Sequence, residues 1–169
     1  MDKFIVITSI FRPTEAIEKF AKLKDWKVIV VGDKKTDADW NCNGVTYLSP
    51  EKQQEVANKF SGLLPWNSYT RKNIGYLHAI SHGARVIYES DDDNIPLDNW
   101  VDEPEFSTDA ELLSDASFVN IYSYFTDKKV WPRGIPLRCV LDPEAPKAAQ
   151  GKNLKVGIWQ YLANGDPDV

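Results

Sequence analysis

Apolar residues fall into short continuous runs separated by polar stretches of helical period. Phe4 to Thr8 is such a run, the pattern of a strand covered on both faces. Thr14 to Leu23 then carries Ile17, Phe20 and Ala21 at helical spacing, with Pro13 and Thr14 as start signals. Val28-Ile29-Val30-Val31 predicts a second buried strand, stopped by Gly32-Asp33, and Val45 to Leu48 a weaker third. Ser49-Pro50-Glu51 opens a helix with a capping serine and a first-turn proline. Ser68 to His82 predicts another helix, with Ile74, Leu77 and Ile80 or Ser81 on its apolar face and Gly83 at the left-handed C-cap. Val86-Ile87-Tyr88 follows as a fourth strand. Strand and helix thus alternate from Phe4 to Tyr88, which predicts an α/β fold with a mainly parallel sheet and crossover helices. Beyond Asn94 the alternation stops. Phe118 to Phe125 reads as a strand, Val130 to Leu141 as a loop or edge segment punctuated by Pro and Gly, and Gly157 to Leu162 as a short apolar element.

Composition narrows the function classes. The 169 residues are 43% hydrophobic and 27% charged, an ordinary globular balance, and the length suits one domain with a single core. A net charge of -5 gains nothing from a phosphate backbone, so no nucleic-acid partner is expected. Small anionic ligands stay open, because a divalent cation reverses the local sign. Cys42 and Cys139, in no metal-type spacing, are expected to be free thiols. The start is too quickly polar for a signal peptide and no run is long enough to span a membrane, so a soluble, cytoplasmic protein is expected.

Chemistry concentrates at the end of the fourth strand. Open α/β sheets bind ligands at the carboxyl ends of their strands. Asp91, Asp92 and Asp93 lie just past that end, and Glu89 on its last residues. Adjacent carboxylates repel one another unless a cation sits among them. Mg²⁺ takes one or two carboxylates together with substrate phosphates. The competing reading is a solvated acidic turn before Pro96. A helix-loop-helix calcium loop is the other option, against which Pro96 stands where that loop needs glycine.

A diphosphate also needs basic partners. Arg71, near a helix N-terminus, can offer a bidentate fork to phosphate; alternatively Arg71 and Lys72 are solvent-facing helix residues. Asp33, ending the second strand, can accept the N3 hydrogen of a uracil, or is a simple turn aspartate. Ser9-Ile10-Phe11-Arg12-Pro13 follows the first strand and would line the same crevice, with Ser9 and Arg12 as its ligand-binding candidates. The stretch has no Gly-x-Gly-x-x-Gly, and the chain no P-loop, which counts against dehydrogenases and P-loop NTPases. His78 and His82 share one helix face without an evident third zinc ligand; His82 reads as a cap beside Gly83.

The stretch from Leu64-Pro65-Trp66 through Tyr69-Thr70-Arg71-Lys72-Asn73-Ile74-Gly75 and His82-Gly83 to Glu89-Ser90-Asp91-Asp92-Asp93 resembles the STELLO-type glycosyltransferase family. Two later pieces agree: Trp131-Pro132-Arg133-Gly134-Ile135-Pro136-Leu137, and Gly157-Ile158-Trp159-Gln160 with Asn164-Gly165-Asp166-Pro167-Asp168-Val169. Similar pieces in the same order occur in the reversibly glycosylated polypeptides, which are UDP-arabinopyranose mutases. The resemblance implies a GT-A fold over residues 1–169 as one nucleotide-sugar-binding domain. It also implies a UDP-sugar donor and Mn²⁺ or Mg²⁺ held by a D-x-D motif. That motif is Asp91-Asp92-Asp93 as in the mutases, or Glu89-Ser90-Asp91 if the family's Asp-Ala-Asp is aligned directly. With Asp91 and Asp93 on the metal, Asp92 faces the ribose or stands behind the ligands. Arg133 matches an arginine beside the donor site, and Trp131, in the same loop, is the one of six tryptophans to test as a sugar platform. Asp166 or Asp168 is the implied acceptor-activating carboxylate, although relatives continue beyond this point and a truncated C-terminus is expected. The implied reaction is transfer of a sugar to a glycan, protein or lipid acceptor. A nucleotide-sugar mutase and a non-catalytic nucleotide-sugar-binding module are the alternatives.

Overall fold

The computed structural model describes residues 2–98, 100, 105–113, 118–141 and 149–161. The chain divides into two compact units, Met1–Trp100 and Val101–Val169. Each is described by itself.

In the first unit, β1 (Lys3–Thr8), β2 (Trp26–Val31), β3 (Val45–Leu48) and β4 (Val86–Glu89) form one parallel sheet in the order β3-β2-β1-β4. Helices α1 (Glu15–Phe20), α2 (Pro50–Leu63) and α3 (Lys72–Ser81) flank it. This is the expected α/β architecture, consistent with a GT-A-like fold. One expected alternation is missing, because β2 reaches β3 through positions 32–44 with no helix.

The continuous apolar runs arise because both sheet faces are covered. On one face Ile5, Ile7, Val28 and Val30 pack with Ile17 and Phe20 of α1 and with Trp26 and Trp40. Tyr88 and Trp100 add edge-on aromatic contacts to Trp26. On the other face Phe4, Val6, Ile29 and Val31 meet Leu48 and, from α3, Ile74 and Ala79. Thr14 caps α1 by accepting from the Ile17 amide, and Ser49 caps α2 by accepting from the Lys52 amide, with Pro50 in the first turn.

The expected apolar face of α3 is corrected. Leu77 is 42% and Ile80 60% exposed, whereas Arg71, Lys72, Ile74, Gly75 and Ala79 are buried. The reason is distance: a Cβ on Gly75 would meet Val6 and stand 2.9 Å from a Val31 methyl. The helix therefore turns Ile74 and the small residues Gly75 and Ala79 to the sheet, and leaves Leu77 and Ile80 outside. A 3₁₀ turn at Tyr69–Arg71, capped by Ser68, precedes it, and Gly83 follows with φ +82°.

In the second unit β5 (Ser107–Leu112) and β6 (Ala149–Lys155) pair antiparallel, and α4 (Leu137–Leu141) is a short helix within the segment expected to be a loop. The strand expected over Phe118 to Phe125 is instead a 3₁₀ turn at Ile121–Tyr124. Asn120 starts it by accepting from the Tyr122 amide while donating to the Val130 carbonyl, a local alternative to strand pairing. Residues 157–161 form no helix or strand, and Leu162 lies outside the described residues. Cys42 and Cys139 are free thiols. Among the described residues no helix is long and apolar enough to cross a membrane.

Candidate functional site

Chain order and sheet order disagree at one place. The chain runs outward through β1, β2 and β3, then β4 returns to the far side of β1. Connections on either side of such a reversal leave a crevice at the carboxyl edge. A cavity of about 440 Å³ lies along this edge. Thr8 to Phe11 after β1, Val31 to Asp33 and Lys35 after β2, Asn67 to Tyr69 with Arg71 before α3, and Asp92 after β4 line it.

Asp92 joins the walls. Ser9 Oγ donates to Asp92 Oδ2 at 2.5 Å, and Thr14 Oγ1 donates to the Asp92 carbonyl. Ser9 is buried, and its amide continues the sheet by donating to the Val31 carbonyl at 3.2 Å. Asp33 is also buried. Its Oδ1 accepts from the Lys34 amide at 2.6 Å and its Oδ2 from the Asn67 amide at 2.8 Å. The carboxylate thus fixes the segment before α3 against the end of β2, and each oxygen has acceptor capacity beyond these bonds in a residue that lines the cavity.

Arg71 does something other than expected. Its residue surface is 1% exposed, and its Nε donates to Gln53 Oε1 at 2.7 Å. NH1 donates to the carbonyls of Leu64 at 3.0 Å and Ser61 at 3.4 Å, and NH2 to Ser61 Oγ at 3.0 Å. The guanidinium lies 3.5 Å from the centre of the Trp66 ring. Burial lowers its pKa from the ordinary value, opposed by the Asp33 charge. Its fork is turned onto α2 and the α2–α3 connection, so it braces the cavity wall rather than presenting a phosphate clamp. Lys35, not singled out in the sequence, is exposed and also lines the cavity.

Lys72, read as a possible solvent-facing residue, is buried too. Its side chain is 6% exposed, and Nζ donates to Asp91 Oδ1 at 2.8 Å, the Ser90 carbonyl at 3.0 Å and Glu89 Oε1 at 3.2 Å. The cation demanded by the acidic strand end is therefore present within the chain. Of the acidic residues expected on a metal, Glu89 and Asp91 are held by Lys72 and Asp93 is exposed, while Asp92, expected to face the ribose or to stand behind the ligands, borders the cavity. Among the described residues no three His, Cys, Asp or Glu side chains converge as a metal cage. The described side chains thus form no preassembled centre, and a hard cation here would have to draw much of its shell from phosphate and water oxygens.

Of the expected residues in the first unit, Arg12 does not line this cavity. Arg12 is exposed and pairs with Asp37 at 2.8 Å and Asp39 at 3.7 Å. Trp131 and Arg133 belong to the second unit, where Trp131 Nε1 donates to the Ile135 carbonyl at 2.7 Å. Asp166 and Asp168 lie outside the described residues. His82 caps α3, as read from the sequence, and its ring centre is 4.1 Å from that of His78.

No family model matches the chain. Two curated proteins of Arabidopsis thaliana do. "Probable glycosyltransferase STELLO2" is 33% identical over 99% of the chain, and "Probable glycosyltransferase STELLO1" 32% over the same share. The chain spans about a quarter of the length of either relative, 24% in each case. Nearly the whole chain is thus similar to one part of the STELLO-type glycosyltransferases.

Proposed function

We propose that this chain supplies the donor-binding part of a glycosyltransferase, and that its carboxyl-edge cavity takes a nucleotide-diphosphate sugar, UDP-linked by preference. The observation that carries the reading is the convergence of Ser9, Asp33, Lys35 and Asp92 on one cavity at the reversal of strand order. The relatives, both named as probable glycosyltransferases, support the reaction class.

In this reading the base enters between the Ser9–Phe11 and Asp33 walls, with Asp33 free to accept an imide hydrogen on its unused lone pairs. Asp92 stands where a ribose follows. Lys35 offers the diphosphate a flexible charge from the rim. Asp92 and Asp93 would hold Mn²⁺ or Mg²⁺, which when bound neutralises the leaving diphosphate. Transfer breaks the bond between the anomeric carbon and the diphosphate oxygen and forms one to an acceptor oxygen. The acceptor's proton passes to a carboxylate, for which Asp166 and Asp168 are the sequence's candidates.

Calorimetric titration of UDP with and without Mn²⁺, on the wild type and on Asp92→Asn and Asp93→Asn, tests the site. Metal-dependent binding weakened at least about tenfold in each variant, or about 1.4 kcal/mol, is expected. Unchanged binding in both variants removes the assignment. Release of nucleotide diphosphate from a panel of sugar nucleotides then tests the chemistry. Interconversion of sugar ring forms without release would point to a mutase instead.

A further inference from the structure

The acidic strand end contains four carboxylates, and the lysine behind them divides these into two sets. Lys72 opens α3, the helix whose small residues bring it close against the sheet. That approach places its ammonium under the end of β4, where its three N–H donors meet three acceptors: Glu89, the Ser90 carbonyl and Asp91. A lysine ammonium has three donors and no more, so this one is saturated. It has nothing left for a phosphate, and with 6% of its side chain exposed it does not reach the cavity. Its partners are more open, Glu89 at 63% and Asp91 at 47%. A divalent cation placed between Glu89 and Asp91 would meet the ammonium's positive charge behind them.

We infer that Lys72 is a positioning residue acting as a built-in counter-cation. It withholds Glu89 and Asp91 from metal and fixes the turn so that Asp92 and Asp93 are the carboxylates offered to a ligand. The assignment of Asp92 and Asp93 to a donor's metal rests on the proposed function. The withholding of Glu89 and Asp91 does not, and it can be read with metal alone.

The test uses the full chain without nucleotide. Mn²⁺ is titrated into wild type, Lys72→Met and the triple variant Lys72→Met/Glu89→Gln/Asp91→Asn, with free Mn²⁺ followed by electron paramagnetic resonance. Removal of the ammonium should create a Mn²⁺ site at least tenfold tighter than any in the wild type, and the triple variant should lose it. A purely structural lysine predicts no gain in metal affinity, and Lys72→Met binding no better than wild type overturns the inference. If Lys72→Met does not fold, the wild type labelled with ¹⁵N at lysine Nζ answers the same question. The Lys72 ammonium signal should stay at its hydrogen-bonded position in millimolar Mg²⁺, and its shift to the solvent position would overturn the inference. Either result is independent of whether UDP binds.

Discussion

Arg71 and Lys72 are neighbours in sequence with the same sign of charge, and both are buried for different work. Arg71 uses a planar fork to tie Gln53, Ser61 and Leu64 together while one face stacks on Trp66. Lys72 uses a compact ammonium on a strand end. Arg71→Met would leave those acceptors buried and unpaired, at about 1–3 kcal/mol for each group not reached by water. A loss of about 3 kcal/mol in urea unfolding is expected, and nucleotide affinity should fall only as far as the wall loosens. A loss below about 1 kcal/mol would remove Arg71 from its bracing role. The sequence marked this pair as basic and near the acidic turn, which was correct, but left open phosphate contact or solvent. Charge pattern alone does not say that a helix will sit close enough to bury two cations; Gly75 was the signal for that.

Among elements, those whose pattern reflects burial were legible. β1 to β4 and the caps at Thr14 and Ser49 follow directly from continuous apolar runs and side-chain acceptors. β5 and β6 were not, because they form a two-stranded ribbon exposed over most positions, so no apolar alternation marks them. The aromatic residues from Phe118 to Phe125 suggested a strand, and Asn120 overrode that preference locally. The apolar face of α3 is legible only at Ile74, because close packing selects the small Gly75 and Ala79 over Leu77 and Ile80. Its closeness to the sheet yields a second expectation. Gly75→Ala should destabilise the fold by about 1–3 kcal/mol, because the added methyl forces Val6 or Val31 off its place. Equal or higher stability in chemical denaturation would show that the helix can lift away at no cost. The candidate site was legible where it depends on strand ends: Ser9, Asp33 and Asp92 all line the cavity. Arg12 was misjudged because the loop after β1 turns it to Asp37 and Asp39.

For the whole molecule, ligand binding and stability are linked. At a concentration one hundred times its dissociation constant, a ligand that binds only the native chain adds about 2.7 kcal/mol. UDP with Mn²⁺ should therefore raise the melting temperature by several degrees, and a chelator should return it to the ligand-free value. A rise that persists in chelator would mean that the nucleotide binds without the cation.

Ser9 and Asp92 touch across 83 positions of chain. Their contact exists only once β4 has come to lie against β1, the strand pairing that closes the longest loop in the first unit. A partly folded chain lacking that pairing would have the Asp33 wall and no Asp92 wall. Occupancy by a nucleotide would then report that the sheet has been completed, and a bound molecule gripping both walls would act as a clasp, slowing the departure of β4 more than it hastens its arrival.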